Sequence, residues 1–129
     1  MGHIFKIGKD AQAFYGFRIT GQKGFHVSFA NGWTVSVQFG PANYCDNYDR
    51  EIGVDEAACG KEGSGTAETA VLDPDGNLVP LGRSGGELIA AVRDADGYSD
   101  TDSVQARQTP EDVLRLLNWA ASQPAAVGA

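Results

Sequence analysis

The amino-acid sequence predicts an α+β domain: an antiparallel sheet of five or six short strands with a C-terminal α-helix packed on one face. Three observations predict it. Apolar and polar residues alternate through "FHVSFANGWTVSVQFG", residues 25–40, which is the two-residue period of half-buried strands. A helical period appears clearly only late, in "TPEDVLRLLNWAASQP", residues 109–124. The chain also carries 17 glycines in 129 residues, against an average share of about 7%, which suits many tight turns between short strands. Strands first and a helix last argue against a doubly wound parallel sheet. Residues 1–122 are expected to form one domain, with 123–129 as a loose tail.

The elements follow in chain order. Ala13–Thr20 reads as a strand ended by Gly21-Gln22-Lys23-Gly24. Phe25, Val27 and Phe29 then alternate with His26, Ser28 and Ala30, and Trp33, Val35, Val37 and Phe39 with Thr34, Ser36 and Gln38. A two-residue Asn31-Gly32 turn would place these apolar sets on opposite faces. A three-residue loop, Ala30-Asn31-Gly32, instead pairs Phe29 with Trp33, Val27 with Val35 and Phe25 with Val37, and so builds one apolar side. That register requires a type I turn with Gly32 left-handed in a bulge. Ala67–Leu72, Asp73-Pro74-Asp75-Gly76 and Asn77–Leu81 read as a second hairpin of the same kind, with Val71 opposite Val79 and Leu72 opposite Leu78. Pro80 argues that its strand lies at an edge or is paired on one side only. Leu88–Val92 fits a short helix or a strand, and Ser103–Gln108 fits a last short strand. Thr109 as N-cap, Pro110 at the first helical position and Asp112 three residues after the cap open the helix. Val113, Leu116, Leu117 and Ala120 form its apolar stripe, and Pro124 ends it.

Charge narrows the partners. The net charge is −7 and uneven: residues 1–44 sum to +3 and residues 45–129 to −10. An acidic chain repels phosphate backbones, which disfavours direct nucleic-acid binding. No apolar run is long enough to span a bilayer, and "MGHIFKIGKD" has neither the apolar core nor the cleavage site of a signal peptide. The cytoplasm is therefore the expected compartment, and its reducing conditions argue against a Cys45–Cys59 disulfide.

Motifs for chemistry are incomplete. A cysteine nucleophile needs a neighbouring base, and His26 is the candidate for Cys45 because its strand pairs with the one leading toward that residue. Zinc needs three or four ligands, and two cysteines 14 positions apart lack the close paired spacing of structural sites. In Asp73-Pro74-Asp75-Gly76 the glycine stands fourth, where a bulged turn needs it and a calcium loop does not. "GKEGSGTAE", residues 60–68, leads into a strand and has no lysine after its last glycine, unlike a phosphate loop. No metal or other cofactor is implied. What remains is a contact surface in "NYCDNYDR": Tyr44 and Tyr48 with Asn43, Asp46, Asn47 and Arg50 combine flat amphipathic rings with hydrogen-bonding groups.

The segments "NGWTVSVQFGPANYCDN" (31–47), "TAETAVLDPDGN" (66–77) and "QTPEDVLRLLNWAASQP" (108–124) together resemble a group of small proteins of actinobacteria and their bacteriophages. That group has no assigned activity, so the resemblance implies context alone: an accessory cytoplasmic protein, in some cases phage-borne. The expected function is a non-enzymatic binding module that blocks a host protein or sequesters a small polar signalling ligand. The acidic loop favours the protein partner over an anionic nucleotide. A small enzyme using Cys45 and His26, and a virion or assembly component, are the alternatives; self-association is left open.

Overall fold

The computed structural model describes residues 4–7, 11–21, 23–79 and 104–125. Strands β1 (Ile4–Ile7) and β2 (Ala11–Phe14) form a separate two-stranded antiparallel ladder. Strands β3 (Gly16–Thr20), β4 (Gly24–Ser28), β5 (Thr34–Gln38), β6 (Ala67–Leu72) and β7 (Val104–Gln108) lie in that order in one antiparallel sheet. A short helix α1 (Val54–Ala58) lies between β5 and β6, and α2 (Pro110–Ala121) follows β7 and packs on β5, β6 and β7. This is the expected α+β arrangement. Among the described residues no helix is long and apolar enough to cross a membrane.

The first hairpin adopts the register that its alternation demands. Phe25 faces Val37 and Val27 faces Val35. The Phe29 amide donates to Trp33 O at 2.8 Å and the Gly32 amide to Phe29 O at 2.9 Å, closing the three-residue loop. Gly32 has φ +90°, which a side chain would strain. The second turn matches it: the Gly76 amide donates to Asp73 O, Leu72 bridges Leu78, and the Val79 amide donates to Val71 O. Asp73 Oδ1 accepts the Asp75 and Asn77 amides, both at 2.9 Å, so this carboxylate serves its own turn. On the flank of β6 away from β5, this bridge holds one end and β7 pairs along the rest. Pro80, Leu81, Leu88–Val92 and the acidic segments after Arg93 lie outside the described residues, as do residues 126–129 of the tail.

One expectation needs correction, and one helix carries no signal in the sequence. The single strand across Ala13–Thr20 is broken at Tyr15, where Gly16 takes φ +125° and the chain passes from the β1–β2 ladder into the main sheet. Helix α1 was not legible: it is five residues long, its N-cap Gly53 offers no side-chain bond, and it carries no periodic stripe.

Alternate residues of β5 and β6 face α2. Val35, Val37, Ala67 and Val71 meet Leu116 and Ala120 in the core, flanked by Phe25, Phe29, Trp33, Val113 and Leu117. Thr69, Gln105 and Gln108 are also buried on this side. The opposite face is polar and tied laterally. Ser28 and Thr34 hydroxyls bond at 2.8 Å, and Gln38 Nε2 donates to Thr20 Oγ1 and Ser36 Oγ. Because α2 packs mainly on β5–β7, the edge strand β3 keeps Phe17 and Ile19 75% and 79% exposed.

Both ends of α2 are capped, by different means. At its start the Asp112 amide donates to Thr109 Oγ1 and the Thr109 amide to Asp112 Oδ2, a reciprocal capping box. Asp112 also accepts from Arg115 at 2.6 Å. At its end Ser122 Oγ donates to Asn118 O and Gln123 Nε2 to Trp119 O, and the first hairpin's turn adds to this cap. Asn31 Nδ2 donates to Ala120 O and Gln123 O, both at 2.8 Å, while Asn31 Oδ1 accepts the Trp33 amide. Trp33 Nε1 donates to Pro124 O, and its ring meets Trp119 edge-on at 5.5 Å.

Asn31→Ala is expected to destabilise the fold by about 1–3 kcal/mol, the loss of several partly buried hydrogen bonds. Asn31→Asp should cost at least as much, since it keeps the acceptor but sets a negative charge at the helix C-terminus. Urea unfolding of both variants checks this ordering.

Candidate functional site

Residues 39–66 leave the sheet between β5 and β6 and carry most of the sequence-predicted contact residues. Their backbone is held from inside. The Gly40 amide donates to Asn43 Oδ1 at 3.0 Å, and Asn47 Nδ2 donates to Phe39 O at 2.7 Å. Cys45 is 1% exposed, and its thiol donates to Gly40 O at 3.6 Å. The Ala42 amide donates to Tyr48 O and the Tyr48 amide to Cys45 O. The sheet holds the loop from the other side. Glu68 on β6 accepts the Tyr44 amide at 3.0 Å and, more weakly, Asn43 Nδ2 at 3.4 Å. Thr66 Oγ1 accepts the Asp46 amide and donates to Asp46 Oδ1 at 2.8 Å.

This network presents two tyrosines outward. Tyr44 and Tyr48 are 55% and 45% exposed, and their rings stack with centroids 5.7 Å apart and planes within 5° of parallel. With Ala106 and Arg107 of β7 they enclose a recess of about 190 Å³. The Arg107 amide donates to Tyr44 O at 2.9 Å, and its guanidinium stands 3.6 Å from Asp46 Oδ1. Ala42 and Arg107 both hold positive φ, +67° and +54°, without being glycine. Such backbone is unfavourable by about 1 kcal/mol or more and persists where neighbouring bonds over-determine it, as the Tyr48 and Tyr44 carbonyls do here.

The six predicted contact residues therefore separate. Tyr44, Asp46 and Tyr48 share the outward face. Asn43 is half-buried and spends its side chain on Gly40 and Glu68, while Asn47 is 2% exposed and lies inside the loop. Arg50 belongs to another side, where it donates to Asn47 Oδ1 at 3.1 Å and to Glu62 Oε2 at 2.7 Å. Arg107 joins the tyrosines and had no signal in the sequence. It lies in an ordinary strand pattern, and only the pairing of β7 with β6 brings it beside the loop.

The alternative chemistry rests on Cys45 and His26. No hydrogen bond joins Cys45 to His26: the thiol donates to Gly40 O, and His26 on β4 sits across from Arg18 and Ser36. Cys45 and Cys59 are both free thiols, the first buried and the second exposed. Among the described residues no three His, Cys, Asp or Glu side chains converge as metal ligands would. Burial, and then the charge of Arg18, lower the pKa of His26 below its ordinary 6.5, so the imidazole is neutral at neutral pH. Comparison with protein-family models, curated proteins and solved structures finds no match for this chain.

The two thiols should behave differently. In native protein Cys59 is expected to react promptly with dithionitrobenzoate and Cys45 only after denaturant is added; prompt labelling of both would show that the loop opens. His26 gives a pH signature whose sign follows from its lowered pKa. The unfolded chain takes up the proton near 6.5 and the folded chain only at lower pH, so stability falls as pH drops below 6.5 and levels off beneath the folded value. Urea midpoints measured on either side of 6.5 should show a smaller acid-side fall for His26→Gln than for the unsubstituted protein.

Proposed function

We propose that the protein is a non-enzymatic binding module that acts in the cytoplasm and presents Tyr44 and Tyr48, with Asp46 and Arg107, to a protein partner. One observation carries the reading: two exposed, parallel tyrosine rings stand on a loop whose backbone is fixed by hydrogen bonds on both sides. Tyrosine offers broad amphipathic contact with few torsions to order, and a loop already fixed avoids most of the ordering cost of association. The surroundings are acidic, with Asp46, Asp49, Glu51 and Glu68 near the rings in sequence or in space. That favours a partner with basic or neutral hydrogen-bonding groups over a phosphorylated ligand. With the phage-type resemblance of residues 31–47, the reading becomes an accessory protein that blocks a host component by occupying its surface.

The test compares captured proteins. Immobilised protein is expected to enrich a specific partner from bacterial host extract, and Tyr44→Ala combined with Tyr48→Ala should lower its affinity at least tenfold, as paired tyrosine hot spots do. Circular dichroism checks that the variant stays folded. A partner held equally well by the double variant would remove the tyrosine face from the interface.

A further inference from the structure

On the other side of the same loop lies a larger cavity of about 300 Å³ that shares no lining residue with the tyrosine recess. Its apolar walls come from two stretches of that loop: Phe39 and Pro41 at its start, and Ile52 with Val54 and Ala57 of α1 further on. Lys23, from the turn between β3 and β4, also lines it. We propose that this cavity binds a small apolar carboxylic acid, with the carboxylate paired to Lys23 and the hydrocarbon part against Phe39, Ile52 and Ala57.

The charge balance of the cavity selects that chemistry. Glu62 is the acid in its lining, and it is already neutralised by Arg50 at 2.7 Å. Asn47 is likewise committed, its amide nitrogen donating to Phe39 O and its oxygen accepting from Arg50. Lys23 has no carboxylate partner among the described residues, and it is the remaining uncompensated charge in the lining. An anion is thus favoured over a cation, and the walls favour an apolar body behind it.

Lys23 is also held in position. Its amide donates to Thr20 O, and its carbonyl accepts the Phe39 amide at 2.8 Å. Its stem lies flat on Gly40, where a Cβ would come within 2.9 Å of Lys23 Cβ and Cγ. The side chain therefore leaves a fixed backbone over a surface that only glycine keeps open, which lowers the cost of ordering the ammonium around a carboxylate. A cavity near the lower end of ligand-pocket sizes admits roughly a dozen non-hydrogen atoms.

The proposal does not depend on the tyrosine face, and its test needs no unidentified ligand. Phenylbutanoate is titrated into isotope-labelled protein and followed by amide chemical shifts. Gly21, Gly40, Gly53 and Ala57 are expected to move and saturate with a Kd of about 1 mM or tighter. Neutral phenylbutanamide should bind about fivefold more weakly, and phenylbutylamine more weakly still. Lys23→Gln should bring the acid down to the affinity of the amide without affecting the fold. Ala57→Trp, which fills the cavity, should abolish the response, with native shift dispersion confirming that it remains folded. Equal affinity for the three probes, or an undiminished response in Lys23→Gln, would overturn the proposal. So would shifts confined to Phe17 and Ile19.

Discussion

The contact on which the rest of the structure depends is the one between the first hairpin's turn and the end of α2. Asn31 Nδ2 donates to two carbonyls there, and Trp33 seals the joint with Nε1 on Pro124 O and its ring against Trp119. The last turn of a helix leaves carbonyls without intrahelical partners; Ser122 and Gln123 supply donors to Asn118 O and Trp119 O from α2's own end, and Asn31 adds donors from the hairpin. The hairpin therefore does two jobs with one loop. Its bulge at Gly32 sets the strand register, and the side chain beside that glycine fixes where the helix stops over the sheet. Leu116 and Ala120 meet Val35 and Val71 in the core beside this joint.

That placement leaves the sheet unevenly covered. The helix lies over β5, β6 and β7, so the core is deepest there and shallow at β3. Residues 39–66 are hung from the covered half by several hydrogen bonds. A long connection with few anchors costs little to disorder, but this one is tied to β6 through Glu68 and Thr66 and to β7 through the Arg107 amide. Buried Cys45 and Asn47 fill its inside. Positive φ at Ala42 and Arg107 is the visible strain of forcing the chain into that shape.

The same loop has two sides of different chemistry. Outside, stacked rings and mixed charges suit a broad partner surface. On the other side, an apolar cavity lined by Lys23, which has no carboxylate partner among the described residues, suits a small anion with a hydrocarbon body. Cys45 lies between them as packing, its thiol turned to a backbone carbonyl. Its place in a stretch rich in tyrosine and acid made it conspicuous in the sequence, yet the neighbours do the presenting.

Local chemistry by itself determined much of this protein. Alternation around Ala30-Asn31-Gly32 set the hairpin register, because only one pairing puts the apolar residues on one face. Thr109, Pro110 and Asp112 set the helix start, because capping needs only residues a few positions apart. Tyr44 and Tyr48 stood out as amphipathic rings in a polar loop. What the tertiary structure alone decided involves residues far apart in the chain. The break at Gly16 depends on which ladder each half of the segment joins. Arg107 reaches the tyrosines because β7 lies beside β6, and Asn47 turns inward because Phe39 O needs a donor. Lys23 meets Ala57 across a cavity made by three segments. A sequence pattern reports periodicity and nearest neighbours; it carries no information on which distant surfaces close against each other, and both candidate sites are built at such closures.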